Sequence, residues 1–320
     1  MPQQRIVTLI YPNIHDLGFT GPLTVFETAN HLLPDPASHY QVEIVSIGGP
    51  QITTSAGMTV TAAPPDVTDT PIDTLLIPGT YDNSVLADQE LIQWIRTTSR
   101  HARRTASSSC GAFLLAEAGL LQGRRATTHW TLCHDMALRY PEITVEHEPM
   151  FVQDGPYVTS AGATASIYMA LALIEGDHGP GLALNIARNL ILPYRHHGNQ
   201  SQYSSIPEAR LTRNPHIRSI QEWILAHIDK PIRLPDLARR SHMSLRNFSR
   251  VFQRETGLSP AKYIEQMRVA RARTLLETTD HPVRHVANQC GYTRPTTFYR
   301  TFQRTLGLTP AEYRKHFQST

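Results

Sequence analysis

Apolar residues fall along roughly the first two thirds of the chain in short β-rich runs separated by amphipathic stretches, and along the last third at helical spacing. Arg5-Ile-Val-Thr-Leu-Ile-Tyr11 is a short apolar run closed by Pro12 and reads as a buried strand. Gly21-Pro22 opens a helix to about Leu32. Val42 to Ile47 is a second strand before Gly48-Gly49, and Thr74 to Pro78 a third before Gly79. Leu86 to His101 reads as a helix with Leu91, Ile92 and Ile95 inward, and Arg104 to Ser108 as a fourth strand of small residues. Ala163 to Glu175 and Leu182 to Leu192 are apolar on more than one face, as expected of packed helices with a dimer surface. Strands alternating with helices predict an α/β flavodoxin-like doubly wound sheet.

The pattern changes towards the end of the chain, where one block is written twice. Phe248 to Tyr263 and Phe298 to Tyr313 repeat Phe, Arg, Phe, Gln, Arg, Gly, Leu, Pro, Ala and Tyr at the same steps. A constant spacing of that kind marks a duplicated structural unit. Phe248, Val251 and Phe252, like Phe298, Thr301 and Phe302, share one helical face, and Arg occupies the other. Gly257 and Gly307 end these helices; Ser259-Pro260 and Thr309-Pro310 cap and begin the next. Shorter helices precede each, Pro235 to Ser241 and Pro282 to Gln289. Helix, tight turn and second helix is the helix-turn-helix plan, whose second helix enters the major groove of DNA.

Charge follows the same division. The chain carries +3 overall, yet from Arg213 onwards there are 19 Lys plus Arg against 8 Asp plus Glu, while residues 1–212 carry 11 against 19. By charge only the C-terminal part suits a polyanion. Three cysteines without a Cys-x-x-Cys pattern fit a reducing cytoplasm, and the apolar run at the start is too short for a signal or a membrane span. The polar, aperiodic stretch after His197 reads as a linker, which gives domains 1–200 and 213–320 joined by 201–212.

Residues from about 213 to 320 resemble the DNA-binding domain of AraC/XylS-family transcription regulators. The resemblance implies an all-α domain of seven helices with two helix-turn-helix units and one long connecting helix, Pro260 to about Thr278. At ~1.5 Å per residue that helix is roughly 28 Å long, comparable with the ~34 Å between successive major-groove openings on one DNA face. Ser244, Arg246, Asn247 and Arg250 on the first reading helix, and Arg294, Thr296, Thr297 and Arg300 on the second, are the candidate DNA contacts. Arg suits guanine and Asn adenine, with phosphate the open alternative for each Arg. Arg254 and Arg304, one turn further on, suit phosphate or pairing within the domain; Asp236 reads as a cap.

In the first domain, Arg104 to Ala116 passes directly from strand to helix through Ser108-Ser109-Cys110-Gly111, a nucleophile elbow in outline. Gly21-Pro22, Ile77-Pro78-Gly79, the Gly111 to Gly123 segment, Thr128-His129-Trp130 and Thr159 to Gly162 make about Arg5 to Gln202 similar to the PfpI-type, class I glutamine amidotransferase-like superfamily, in particular to members fused to AraC-type domains. In that family the elbow usually reads Ala-Ser-Val-Cys-Thr-Gly-Ala, with an acid four residues before the Gly-Pro proline. Here Ser109 falls where the reactive cysteine belongs, the thiol moves to Cys110, and Gly18 stands at the acid position with Asp16 two residues earlier. A serine beside His129 with no orienting carboxylate is a poor triad, so no catalytic residue is assigned.

The elbow suits binding. Gly79, Ser109 and His129 are expected to line a small-metabolite cleft, an inherited and silent fold feature being the alternative. Tyr81 and Trp130 read either as aromatic walls or as core, and Cys110 either as a reactive thiol or as a small buried hydrophobe. No His-x3-His or Cys/His cluster supports a metal, and no cofactor is expected. The resemblance implies a regulator of promoter DNA, a homodimer, with a small effector of amino-acid or betaine-like type and, if it activates, RNA polymerase as partner. The rival readings are a PfpI or isocyanide-hydratase-like enzyme with a DNA-binding tail, and a regulator that uses its first domain only to dimerise.

Overall fold

In the computed structural model, which describes residues 4–65, 71–193, 200, 212 and 214–317, β1 (Gln4–Ile10) lies inside a six-stranded mixed sheet. Its order is β2 (Tyr40–Ser46), β1, β5 (Ile72–Ile77), β6 (Ala102–Ser108), β10 (Tyr157–Ser160) and β9 (Phe151–Asp154). All neighbours run parallel except β9, which is antiparallel to β10. Two small additional sheets pair β3 (Gln51–Thr53) with β4 (Thr59–Thr61) and β7 (Arg125–Ala126) with β8 (Thr144–Val145). None of β3, β4 and β7 to β10 is expected from the sequence, because runs of two to four residues carry too little alternation.

Consecutive strand residues enter opposite cores, as period-2 geometry requires. Val7 and Leu75 pack towards α2 (Gln89–Ser99), α3 (Gly111–Glu117) and α4 (Cys133–Arg139); Ile6 and Leu76 pack towards α1 (Asp16–Leu32), α5 (Ala163–His178) and α6 (Pro180–Asn189). The sheet is therefore covered on both faces. The helix expected from Leu86 divides: a 3-10 turn covers Asn83–Ala87, and α2 starts after Asp88, whose carboxylate accepts a hydrogen bond from Leu91 N–H at 3.0 Å.

The sequence places the start of the first helix at Gly21-Pro22, but α1 begins at Asp16 and Pro22 lies inside it. Proline removes the N–H that would bond the carbonyl four residues back. That carbonyl belongs to Gly18, and it accepts a 3.1 Å hydrogen bond from Ser108 Oγ at the end of β6 instead. A long-range partner makes the interior proline tolerable.

At the opposite end of the sheet Arg104 is buried and bonds Asp177 on α5 at 2.6 Å, with the Tyr40 hydroxyl donating to the same carboxylate at 3.0 Å. Burial alone pushes the Asp177 carboxyl up. The bonds and charges of Arg104 and Arg103 outweigh it and hold the group below the usual carboxylate range.

The chain divides into two compact units, Met1–His196 and His197–Thr320. In the second the helices are α7 (Pro215–Ala226), α8 (Leu234–Arg240), α9 (Leu245–Thr256), α10 (Pro260–Thr278), α11 (Val283–Gln289), α12 (Pro295–Leu306) and α13 (Pro310–Phe317). They enclose two cores. Ile217, Phe248 and Phe252 pack with Tyr263 and Met267 from the first half of α10; Val286, Phe298 and Phe302 pack with Val269, Ala272 and Leu276 from its second half. One helix is thus shared by two helix-turn-helix units.

Capping chemistry sets these boundaries. Gly257 and Gly307 adopt φ of 74° and 76° as the left-handed stops of α9 and α12. Ser259 Oγ accepts from Lys262 N–H, and Thr309 and Glu312 form a reciprocal capping box. Asp236 lies within the first turn of α8 and pairs with Arg239, so it is not the cap; Arg233 holds that position. The expected linker falls mostly outside the described residues.

Candidate functional site

The elbow forms where β6 ends. Ser109 has φ of +51°, a conformation that costs a non-glycine residue about 1–2 kcal/mol. It is held from both sides: its N–H donates to Ser160 C=O at 2.9 Å, and its C=O accepts from Thr128 Oγ1 at 2.8 Å. Two glycines permit the close approach of the β5 end. A Cβ on Gly111 would meet Ile77 O at 2.3 Å, and one on Gly79 would meet Cys110 Sγ and Ser108 O at 2.8 Å. Ser109, not Cys110, therefore occupies the strained elbow position.

Cys110 turns away to the next loop. Its thiol accepts from Thr80 N–H at 3.0 Å and donates to Thr80 C=O, and burial pushes its pKa up. That is the environment of an inert thiol. The Gly79 N–H faces Ser108 Oγ at 3.4 Å. It is turned into the elbow.

His129 follows the Thr128 bridge, is half-buried, and shares a 2.8 Å hydrogen bond between Nδ1 and Thr131 Oγ1. Its ring lies 5.4 Å from that of Trp130. Among the described residues no hydrogen bond joins Ser109 to His129. Asp16, the nearest sequence candidate for an acid, accepts from Ser55 Oγ and Ala56 N–H. Both bonds use Oδ2 and tie Asp16 to the neighbouring loop; Oδ1 is buried without a hydrogen-bond partner among the described residues, and no hydrogen bond joins Asp16 to His129. Tyr81 is 80% exposed and stands at the rim with its ring edge-on to His15 at 5.2 Å.

His15 is absent from the sequence-derived set. It sits just before α1, and a Cβ built on Gly18 would lie 3.7 Å from His15 Cβ and 3.0 Å from Ser108 Oγ. Repulsion from His15, second to burial, lowers the affinity of His129 for a proton. The two imidazoles are electrostatic neighbours. A lone histidine carries no pattern, and the misplaced helix start hid its position. A cleft of about 50 Å³, room for a few waters, is lined by Cys110 together with Thr80, Leu86, Phe113, Leu132 and Asp135. Ser109 and His129 stand outside it.

In the second unit α9 and α12 expose matching faces. Arg246, Asn247 and Arg250, and Thr296, Thr297 and Arg300, are exposed, with Phe248 and Phe298 buried behind them. Ser244 caps α9, its Oγ accepting from Asn247 N–H, while Arg294 stands at the N-cap of α12. Arg250 donates to Asn247 Oδ1 at 3.0 Å, which couples that pair. Arg246, Arg294 and Arg300 make no ion pair among the described residues, whereas Arg254 pairs with Glu255 at 2.8 Å and Arg304 with Glu265. Gln253 and Gln303 lie exposed on the same faces, which projecting each helix at ~100° per residue reveals, and exposed Tyr299 flanks the second face beside Phe298.

These sites define a doubly wound α/β unit with a serine elbow joined to a double helix-turn-helix module. The DJ-1/PfpI family matches residues 4–176, and a helix-turn-helix domain matches residues 237–316. The HTH-type transcriptional regulator CdhR of Pseudomonas aeruginosa is 30% identical over 91% of this chain and 85% of its own. The isonitrile hydratase of Pseudomonas putida is 34% identical over 53% of this chain and 71% of its own. A crystal structure of a ThiJ/PfpI family protein from Pseudomonas syringae shares the fold, with a TM-score of 0.52 at 21% identity, covering 75% of this chain and 90% of that one. The chain belongs to the DJ-1/PfpI family, among the HTH-type transcriptional regulators that join this domain to an AraC-type helix-turn-helix domain. No helix among the described residues is long and apolar enough to cross a membrane.

Proposed function

We propose that this transcription regulator reads double-stranded promoter DNA with α9 and α12, and that a small metabolite at the elbow of its first unit controls it as a homodimer. The observation that carries the DNA reading is the pair of matching exposed faces, each with an unpaired Arg, mounted on opposite halves of α10. Arg246, Asn247 and Arg250 take one groove; Arg294, Thr296, Thr297 and Arg300 take the next. Ser244 sets the start of α9.

The elbow binds and does not turn over its ligand. A serine without a bonded imidazole, an inert Cys110 and an Asp16 bonded to the Ser55 loop rather than to His129 favour this reading over hydratase-like chemistry. Ser109, His129, Tyr81 and Trp130 contact the effector, an amino-acid or betaine-like compound, with Gly79 and Cys110 shaping the floor. Ligand coupling of about 1–3 kcal/mol changes DNA occupancy roughly 5- to 150-fold. In the cytoplasm, RNA polymerase is the further partner where the outcome is activation.

The test is anisotropy of labelled DNA from the protein's own promoter region with the full chain, with and without a panel of amino acids and betaines, repeated with Ser109→Trp. The reading expects sequence-preferred binding, an affinity change with at least one compound, and loss of that change in the variant. Equal binding to the promoter and to arbitrary DNA would refute the regulator assignment.

A further inference from the structure

We propose that Arg268 is the positioning residue that fixes the distance between the two DNA blocks, by clamping the turn of the second helix-turn-helix unit to the end of α7 in the first. The inference goes beyond the contacts assigned to α9 and α12 and rests on the reading that they enter two grooves. Arg268 stands where α10 passes from one core to the other: Met267 before it packs in the first, and Val269 after it in the second. Its Nη2 donates to Lys230 C=O at 2.8 Å, in the segment that follows α7. Its guanidinium carbon lies over the ring of Tyr292, 5.6 Å from the centre, in the turn after α11. One side chain thus touches both units.

The backbones meet at the same point. A Cβ on Gly291 would lie 2.5 Å from Ile228 O and 2.7 Å from Arg268 Nη2, so the bare Cα of glycine lets the second turn close on the first unit. Ile228 belongs to the first core and Tyr292 to the second. Outside this clamp, Glu265 on α10 accepts from Arg304 of α12 and from Lys262 Nζ at 3.0 Å, an arrangement that salt weakens because Arg304 is exposed. Arg268 is the inner tie.

Stability alone does not ask for an arginine here. Arg268 is half-buried, makes no ion pair among the described residues, and leaves its Nε buried without a hydrogen-bond partner there. A methionine would fill the space without desolvating a charge. What the guanidinium adds is direction: its planar fork bonds one unit and lies over an aromatic ring of the other. A helix with one core on each half can otherwise bend between them. A bend of ~10° at the middle of α10 moves a reading helix roughly 14 Å away by about 2.4 Å, most of the ~3.4 Å step between base pairs.

The test is binding of the full chain to a ladder of duplexes that carry the two blocks the protein selects, with base pairs inserted or removed between them one at a time. Each step moves a block by ~3.4 Å and turns it by roughly 35°. The wild type should lose about tenfold or more in affinity per step. Arg268→Met should bind the original duplex more weakly and lose less than about threefold per step. Arg268→Lys, which keeps the charge and loses the fork, should also flatten the ladder, and it decides if Arg268→Met does not fold by circular dichroism. Tyr292→Phe keeps the ring and removes a hydroxyl without a hydrogen-bond partner among the described residues, so it should discriminate like the wild type. Variants at Arg268 that weaken every duplex by one common factor, or leave the ladder unchanged, would overturn the inference while the two-groove reading stands. A wild type indifferent to spacing would fell the two-groove reading, and this inference with it.

Discussion

The hydroxyl of Ser108 donates a 3.1 Å hydrogen bond to the carbonyl of Gly18, the carbonyl that Pro22 leaves without its helical N–H. This contact spans 90 residues and ties the first helix to the elbow strand. Ser108→Ala strands a buried acceptor and should destabilise the first unit by about 1–3 kcal/mol. Pro22→Ala supplies the missing N–H, so the double variant should recover part of that loss. Urea denaturation of the four proteins in a double-mutant cycle measures the coupling, and additive losses would show that the two residues do not share the carbonyl.

Asp177 predicts the acid limb of stability. Its carboxyl is held below the usual range by Arg104 and Arg103 despite burial. A carboxyl lowered in the folded state contributes stability that is full above its unfolded value near pH 4 and lost as pH falls through the folded value. Asp177→Asn should cost about 3 kcal/mol at neutral pH, because Arg104 remains buried, and should flatten the decline below about pH 4. Thermal unfolding from pH 7 to pH 2.5 checks both.

Each helix-turn-helix turn has one left-handed residue directly after the C-cap of its first helix, and the two turns differ in which residue fills it. His242 adopts φ of +54° in the first, where the second has Gly291 at +73°. His242→Gly should stabilise the second unit by up to about 1 kcal/mol by removing left-handed strain. Gly291→Ala should destabilise it by more, since its Cβ would meet Ile228 O at 2.5 Å. Chemical denaturation separates the opposite signs.

Much of the second unit is legible in the sequence because its rules are local. Gly stops and Ser-Pro or Thr-Pro starts place the beginnings of α10 and α13, and the extent of α10 to Thr278 is what the AraC/XylS resemblance implies. The first unit is legible where strands are long and apolar. It is not where a distant partner decides: Pro22 looks like a helix start until Ser108 is seen to satisfy Gly18, and His15 becomes interesting only when the fold sets it against Gly79 and Tyr81. The short β9 and β10 depend on pairing, not on pattern.

The central claim is that one chain reads two grooves. Selection of bound sequences from a random DNA library by the full-length protein, by Arg246→Ala and by Arg300→Ala tests it directly. The wild type should select two blocks centred about one helical turn apart, roughly 10 base pairs. Each variant should lose preference within one block only, at a cost of about 1–3 kcal/mol. Unchanged sequence preference in both variants, with uniformly weaker binding and a flatter salt slope, would make these arginines phosphate contacts and contradict the account.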